Sequence, residues 1–116
     1  MNTTQRPTID RLRDMGCLPS EILWCEDEIQ RLGLQSGFDE VIAAVNERKA
    51  KCKVELQWCI DLIASTEAQD LMLYQILCLH FVEGLNWVNT ALQMPMKCTG
   101  DACRQRVYRW LDTLDV

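Results

Sequence analysis

The sequence predicts an all-α protein in which an N-terminal helical hairpin with a heptad pattern packs with a C-terminal helix-turn-helix. Apolar residues in the first half recur at alternating steps of three and four, the spacing of helices that pack along one another. A glycine-containing segment at 33–37 separates two such stretches, as the turn of a hairpin would. In the last third, Gly84, Pro95 and Gly100 interrupt a helical apolar pattern, which predicts short helices joined by turns.

The length of 116 residues fits one compact domain, with 1–66 as the hairpin or coiled-coil part and 67–116 as the helix-turn-helix part. Apolar residues make up 48% of the chain and only three residues are proline, a composition unlike that of disordered proteins. No run of about eighteen uncharged apolar residues and no basic-then-apolar leader is present, so we expect neither a membrane span nor a secretory signal. We therefore expect a cytoplasmic protein.

Capping signals define the first two predicted helices. Thr8 is a suitable N-cap for a short helix, Ile9–Met15, which Gly16 would end. Ser20, after Pro19, is a suitable cap for a second helix over 21–32, whose first half is acidic, as the helix dipole favours. The apolar stripe of this helix consists of Leu18, Ile22, Cys25, Ile29 and Leu32.

A third helix is predicted over 38–64, and at 1.5 Å per residue it would be roughly 40 Å long. Its stripe contains one polar residue, Lys49, which could extend outward beside Glu26 or Asp27, or could set the register of a helix pair. The same pattern would suit a dimerising coiled coil or an intrachain hairpin, and we favour the hairpin, with homodimerisation through its far end or the next helix left open. The stripe consists of Phe38, Ile42, Val45, Lys49, Cys52, Leu56, Cys59 and Ile63.

The next two predicted helices carry more apolar residues than one buried face needs. Thr66 as N-cap, with Gln69 three positions later, predicts a helix over 67–83 that is apolar nearly all round. Such a helix is either enclosed or lends a face to a partner. In the following helix, 85–94, two apolar residues either complete the buried face or form an exposed patch. The candidate partner or dimer interface comprises Leu71, Met72, Tyr74, Cys78, Val88 and Leu92.

Thr99 is a suitable cap for a last helix that has one apolar and one polar face. The apolar side, at helical spacing, predicts core positions, whereas the opposite side carries arginines. The predicted core residues of this helix are Cys103, Val107, Trp110, Leu111 and Leu114.

Over roughly 73–111 the chain resembles small phage and prophage proteins whose C-terminal end is similar to region 4 of an RNA polymerase sigma factor. The resemblance rests on Gly-Leu-Asn-Trp at 84–87, on Ala91, and on the run Asp-Ala-Cys-Arg-Gln-Arg-Val-Tyr-Arg-Trp-Leu at 101–111. It implies a DNA-binding helix-turn-helix preceded by a helical hairpin, in a bacterial host cell. Thr90 is a departure, because the family commonly has a β-branched apolar residue at this position.

A recognition helix places its N-terminal residues at base edges in the major groove. This geometry would bring Asp101, Arg104, Gln105 and Tyr108 near bases, and Lys97, Arg106 and Arg109 near phosphates. Arginine there can pair bidentately with guanine, and glutamine with adenine. Alternatively, these side chains form the ordinary solvated face of an amphipathic terminal helix.

The sequence offers little for catalysis or for metal binding. The seven cysteines are an odd number without a C-x-x-C pair, which is typical of reduced, buried thiols. Cys98 and Cys103 with His80 lack a fourth ligand and fit no common zinc spacing, so we expect no metal and no cofactor. With one histidine and no phosphate loop or nucleophile motif, we do not expect an enzyme.

The net charge of −5 argues against nucleic-acid binding through a bulk positive field. Residues 85–116, however, carry four basic residues against three acidic ones. We expect a phage or prophage DNA-binding transcription regulator that acts on double-stranded DNA as a homodimer, because two copies would contact two half-sites. The alternatives are a protein-binding module or inhibitor, directed at RNA polymerase or a host defence component, and a purely structural helical oligomer.

Overall fold

The computed structural model describes residues 7–114, and these form helices and turns without any strand. The protein is therefore all-α, as the sequence predicts. No helix in this part of the chain is both long and apolar enough to cross a membrane. The six α-helices within 7–114 are α1 (Ile9–Met15), α2 (Leu18–Gly33), α3 (Asp39–Ala64), α4 (Leu71–Leu77), α5 (Trp87–Gln93) and α6 (Gly100–Thr113).

Helix α1 has the predicted ends. The Thr8 hydroxyl accepts a hydrogen bond from the Arg11 N–H at 3.1 Å, and Gly16 follows the last helical residue. The Arg11 guanidinium then joins α1 to α3, because it donates to both carboxylate oxygens of Glu55 at 2.5 and 2.7 Å. It also lies 3.5 Å from the ring centre of Trp58. A partly buried ion pair and a cation–π contact thus hold the short helix α1 against α3.

Helix α2 begins earlier than predicted, at Leu18, so Ser20 lies inside the first turn and is not the N-cap. Pro19 explains the difference. Proline lacks an N–H, but the first N–H groups of a helix have no intrahelical partner, and its fixed φ suits a helix start. The helix can therefore begin before the proline.

Helices α2 and α3 are joined by residues 34–38, where Gly37 has a positive φ of 94°. Lys49 is half-buried and its Nζ lies 3.2 Å from the Glu26 carboxylate, one of the two partners expected for it. Arg48 forms a second ion pair across the helices, with Glu21. The stripe of α3 is only half-buried from Phe38 to Cys52, because two helices alone cannot cover both flanks of a shared seam.

One hydrophobic core crosses the predicted boundary between residues 66 and 67. Cys25 and Leu32, the buried apolar residues of α2, lie outside this core, and the molecule measures 58 × 34 × 22 Å. Much of α2 and the first half of α3 therefore extend beyond it as an arm. The core consists of Leu12, Met15, Cys59, Ile63, Leu73, Ile76, Leu77, Phe81, Ala91, Met94, Cys103, Val107 and Leu111.

Helix α4 starts later than predicted. Asp70, not Thr66, is the N-cap, and its carboxylate accepts the Leu73 N–H at 3.1 Å. The buried Thr66 hydroxyl instead donates to the Ile63 carbonyl at 2.7 Å, at the end of α3. Because Thr66 is engaged there, the stronger capping residue farther along determines the helix start.

Gly84 closes the helical segment that begins with α4, as predicted. The chain continues from α4 into a π-helical turn, Cys78–Val82, and Gly84 then adopts a positive φ of 78°. The Leu85 N–H donates to the Leu79 carbonyl at 3.1 Å across this glycine. Glycine reaches such a conformation without strain, so it can reverse the chain towards α5.

Candidate nucleic-acid interface

Helix α6 forms the base of the candidate site, and its N-terminus is capped as predicted. Thr99 has an extended backbone, and its hydroxyl accepts the Ala102 N–H at 3.1 Å. The predicted core positions Cys103, Val107 and Leu111 are buried. Trp110 is half-buried against the core, and Leu114 is half-buried at the C-terminal end of the helix.

The opposite side of α6 is exposed to solvent. Four predicted DNA-contacting residues share it and, with Asp112, line one shallow depression along the helix. Their common exposure follows from the sequence, since they alternate with buried residues at helical spacing. The four residues are Arg104, Gln105, Tyr108 and Arg109.

Asp101 organises the N-terminal half of this face. Its two carboxylate oxygens accept hydrogen bonds from Arg104 at 2.8 Å and from Gln105 at 2.9 Å. The Arg104 guanidinium lies 5.9 Å from the ring centre of Tyr108, within reach of a cation–π contact. The polar side chains are therefore held near one another before any ligand arrives.

Lys97 and Arg109 are exposed, and no carboxylate within 7–114 pairs with either of them. Arg109 makes only a long contact, 3.5 Å, from Nε to the Gln105 carbonyl. Their charges are therefore available for an anion such as a phosphate group.

Arg106 is placed differently from the prediction that it lies beside phosphates. It donates to both carboxylate oxygens of Asp70, at 3.1 Å each, and its buried Nε has no hydrogen-bond partner among the described residues. Arg106 lies at the edge of the buried face of α6, so its side chain points towards α4. Arg106 therefore anchors the helix and does not join the exposed set.

Helix α5 lies beside α6 and begins at Trp87, two residues later than predicted. The Asn86 side chain caps it by accepting the Asn89 N–H at 2.8 Å. Thr90 is fully buried in the place where an apolar residue was expected, and its hydroxyl lies 3.4 Å from the Leu85 carbonyl. Of the two arrangements considered for the apolar residues, the exposed patch is present, because Val88 is 64% exposed and Leu92 is 74% exposed.

Gly100 determines how closely α5 and α6 approach. A Cβ at this position would lie 2.9 Å from the carbonyl carbon of Trp87 and 3.0 Å from the backbone nitrogen of Val88. Real side-chain atoms do not come so close to backbone, so only glycine fits without a shift of one helix. The sequence identified Gly100 as a break, but its spacing gave no sign of this contact.

His80 fixes the connection from α4 to α5. Its ring stacks on Trp87 with 3.6 Å between centres, and its Nδ1 lies 2.6 Å from the Leu85 carbonyl oxygen. Nδ1 must carry the proton to donate this hydrogen bond. Burial lowers the pKa of His80, which favours the neutral ring. The sequence gave no signal for this stack.

The six candidate interface residues do not form one uniform surface. Met72, Tyr74 and Cys78 are half-buried and pack against this chain's own core. Leu71, at the start of α4, is 56% exposed. Val88 and Leu92 on α5 are more exposed still. Any partner would therefore meet α5 and the first residue of α4 before the rest.

The described residues contain no cluster of three or more histidine, cysteine, aspartate or glutamate side chains suited to a metal ion. Comparisons of the chain with protein-family profiles, with curated proteins and with solved structures give no match. The geometry of α5 and α6, together with the sequence resemblance described above, therefore carries the functional argument.

Proposed function

We propose that this protein is a phage or prophage DNA-binding transcription regulator that contacts double-stranded DNA through α6, with α5 and α6 acting as a helix-turn-helix. One observation carries the proposal. Arg104, Gln105, Tyr108 and Arg109 share the exposed face of a capped helix whose other face is in the core. A rigid helix with base-contacting side chains on one face is what major-groove recognition needs.

The roles of the side chains follow from their positions along α6. Arg104 and Gln105 lie in the N-terminal half, where a recognition helix meets base edges, and suit guanine and adenine respectively. Asp101 holds both side chains before binding, and an exposed bond of this kind is readily exchanged for one to a base. Arg109 and Lys97 are left for phosphates.

The charge balance sets the expected strength of binding. Arg106 is neutralised by Asp70, and α5 has no lysine or arginine, so a single copy offers few phosphate contacts. We therefore propose that the protein acts as a homodimer, because two α6 helices on two half-sites would gain affinity that one lacks.

The proposal is tested by fluorescence anisotropy of the protein with random-sequence duplex DNA, titrated from low to physiological salt. We expect binding that weakens as salt rises, because each phosphate contact releases counterions. Arg104→Ala and Arg109→Ala should each weaken binding, by about 1–3 kcal/mol where the contact is to a base. Unchanged binding by the double variant would reject α6 as the interface.

Arg31→Ala is the matched control for Arg104→Ala. Arg31 is exposed on α2 and pairs with Glu28 three residues before it, just as Arg104 pairs with Asp101. The control removes the same charge and the same type of helical ion pair, at a site far along the sequence from α6. It should leave DNA binding within the error of the measurement.

The second candidate function is a protein-binding module or inhibitor, with RNA polymerase or a host defence component as the partner. The observation that favours it is the exposed apolar pair Val88 and Leu92 on α5, next to the candidate DNA face. Absence of DNA binding even at low salt would favour this function, with the helix-turn-helix serving as a scaffold.

A further inference from the structure

Two cysteines stand on either side of the N-terminal cap of α6. Cys98 precedes the capping residue Thr99, and Cys103 lies in the first turns of the helix. These are the two positions that form a hydrophobic staple, in which the residue before the N-cap packs on the fourth helical residue. Here both positions are occupied by thiols, and the two sulfur atoms are 3.6 Å apart.

The environments of the two thiols differ. Cys103 is buried in the core, 1% exposed, and burial raises the pKa of its thiol to about 11. Cys98 is half-buried, and its sulfur lies 3.9 Å from the Ala91 carbonyl oxygen at the end of α5. All seven cysteines lie within 7–114 as free thiols, and there no other pair of cysteines is joined by a hydrogen bond.

We propose that Cys98 and Cys103 form a reversible intramolecular disulfide that locks the connection between α5 and α6 onto the start of α6. An S–S bond is about 2.05 Å long, so the sulfurs must approach by roughly 1.5 Å. The hydrophobic staple already brings both side chains to the same place, and Cys98 lies outside the helix, half-buried against the core. The proposal concerns covalent chemistry and does not depend on DNA binding.

Oxidised glutathione is a suitable oxidant, and the reaction is a thiol–disulfide exchange in two steps. The more accessible Cys98 thiolate first attacks one sulfur of oxidised glutathione, which releases one reduced glutathione and leaves a mixed disulfide. The Cys103 thiolate then attacks the Cys98 sulfur and releases the second reduced glutathione. The protein loses two protons and two electrons, and one glutathione disulfide becomes two thiols.

In a reducing cytoplasm the thiol form would be favoured, as for other cytosolic cysteines. The bond would form under oxidative stress and would be reversed by glutathione. Its effect would be local, because it joins the α5–α6 connection to the first turns of α6 and leaves the rest of the core unchanged.

The experiment equilibrates the full-length native protein in glutathione buffers of varied ratio. Excess N-ethylmaleimide in guanidinium chloride then unfolds the protein and blocks every free thiol, including the buried Cys103, before digestion with trypsin. Cleavage after Lys97 and Arg104 gives a peptide, 98–104, that contains these two cysteines and no other. We expect this peptide to be lighter by two hydrogens and free of maleimide at oxidising ratios. Recovery of the doubly alkylated or glutathione-bearing peptide alone would overturn the proposal.

A second measurement compares formation of the Cys98–Cys103 disulfide in the folded and the unfolded protein. The same equilibrium is measured in urea, where the peptide segment is unfolded. Since the native fold places the sulfurs in contact, the equilibrium constant for closing the disulfide should be at least about tenfold higher in the native protein, a difference of about 30 mV. An equal or lower native constant would show that the fold resists the bond and would reject the proposal.

Cys98→Ser is the control variant, because a half-buried side chain outside the helix can be changed with little risk to folding. It should leave Cys103 fully alkylated at every glutathione ratio, with an unchanged circular dichroism spectrum. Cys17→Ser, at an exposed thiol near the other end of the chain, should leave formation of the 98–103 bond unaffected.

Discussion

Arg106 of α6 donates hydrogen bonds to both carboxylate oxygens of Asp70, and the same carboxylate caps α4 by accepting the Leu73 N–H. One side chain therefore both starts α4 and fixes α6 against it. Burial by itself would raise the pKa of Asp70, but the Leu73 N–H and the Arg106 guanidinium outweigh it and lower the pKa overall. The carboxylate is thus ionised in the neutral range, as both contacts require.

The two roles of Asp70 can be separated by substitution. Asp70→Asn keeps an oxygen that can cap α4 but removes the charge that pairs with Arg106. Asp70→Ala removes both, so it should cost about 1 kcal/mol more than Asp70→Asn in the free energy of unfolding. The charge itself should contribute little, because both partners are more than a third exposed. Urea unfolding followed by circular dichroism measures the difference, and equal losses would mean that the cap does not stabilise α4.

Gly100 provides a test of the contact between α5 and α6. In Gly100→Ala the new Cβ would meet the Trp87 backbone, so one helix must shift, and we expect a loss of about 1–3 kcal/mol in stability. Gly33→Ala is the matched control, since a Cβ there has nothing within 4 Å and Ala is the better helix former. Thermal unfolding should show a lower midpoint for Gly100→Ala and an equal or higher one for Gly33→Ala. If Gly100→Ala were as stable as the unmodified protein, the close approach of the helices would be refuted.

Much of the fold could be predicted because its signals are local. The caps Thr8 and Thr99 and the terminator Gly84 lie within a few residues of the groups they bond, so short patterns locate them. The prediction that Thr66 caps α4 was wrong, because the position of Thr66 depends on contacts outside its own segment. Thr66 is buried and bonded to the end of α3, and the sequence alone does not show that its hydroxyl is engaged there.

The candidate site shows the same limit. Helical spacing was sufficient to group Arg104, Gln105, Tyr108 and Arg109 on one exposed face. Helical spacing could not show that the Asp70 carboxylate, 36 residues earlier, pairs with Arg106, so that Arg106 does not lie on the exposed face. Nor could it decide whether Val88 and Leu92 were buried, because that depends on how α5 is rotated against α6.

Acid sensitivity is expected at the contact between α1 and α3. The hydrogen bonds from Arg11 hold the pKa of Glu55 below its ordinary value of 4.5. A lowered pKa means that the stabilisation is fully present above pH 4.5 and is lost as the pH falls through the lower, folded-state pKa. Glu55→Gln should therefore be less stable than the unmodified protein at pH 7, and the two should converge as the pH falls from 4.5 through the lower pKa of the folded state.

The convergence is measured by urea unfolding at several pH values between 7 and 3. Glu47→Gln is the control, because Glu47 is an exposed carboxylate on the same helix and, within the described part of the chain, pairs only with Lys51 one turn later. It should change stability by at most about 0.5 kcal/mol at any pH. A stability gap for Glu55→Gln that stayed constant down to pH 3 would mean that the ion pair with Arg11 is not its source.

The exposed apolar pair on α5, Val88 and Leu92, can be tested by substitution. Because the Leu92 side chain is 74% exposed, Leu92→Glu should leave the helical circular dichroism signal intact and change the free energy of unfolding by no more than about 0.5 kcal/mol. Ala91→Glu, one residue earlier and only 8% exposed, should destabilise the protein strongly, since it would bury an unpaired charge. If α5 contacts a second copy or another protein, Leu92→Glu should abolish that association in analytical ultracentrifugation without unfolding the chain. Unfolding of Leu92→Glu would instead show that this side chain belongs to the core.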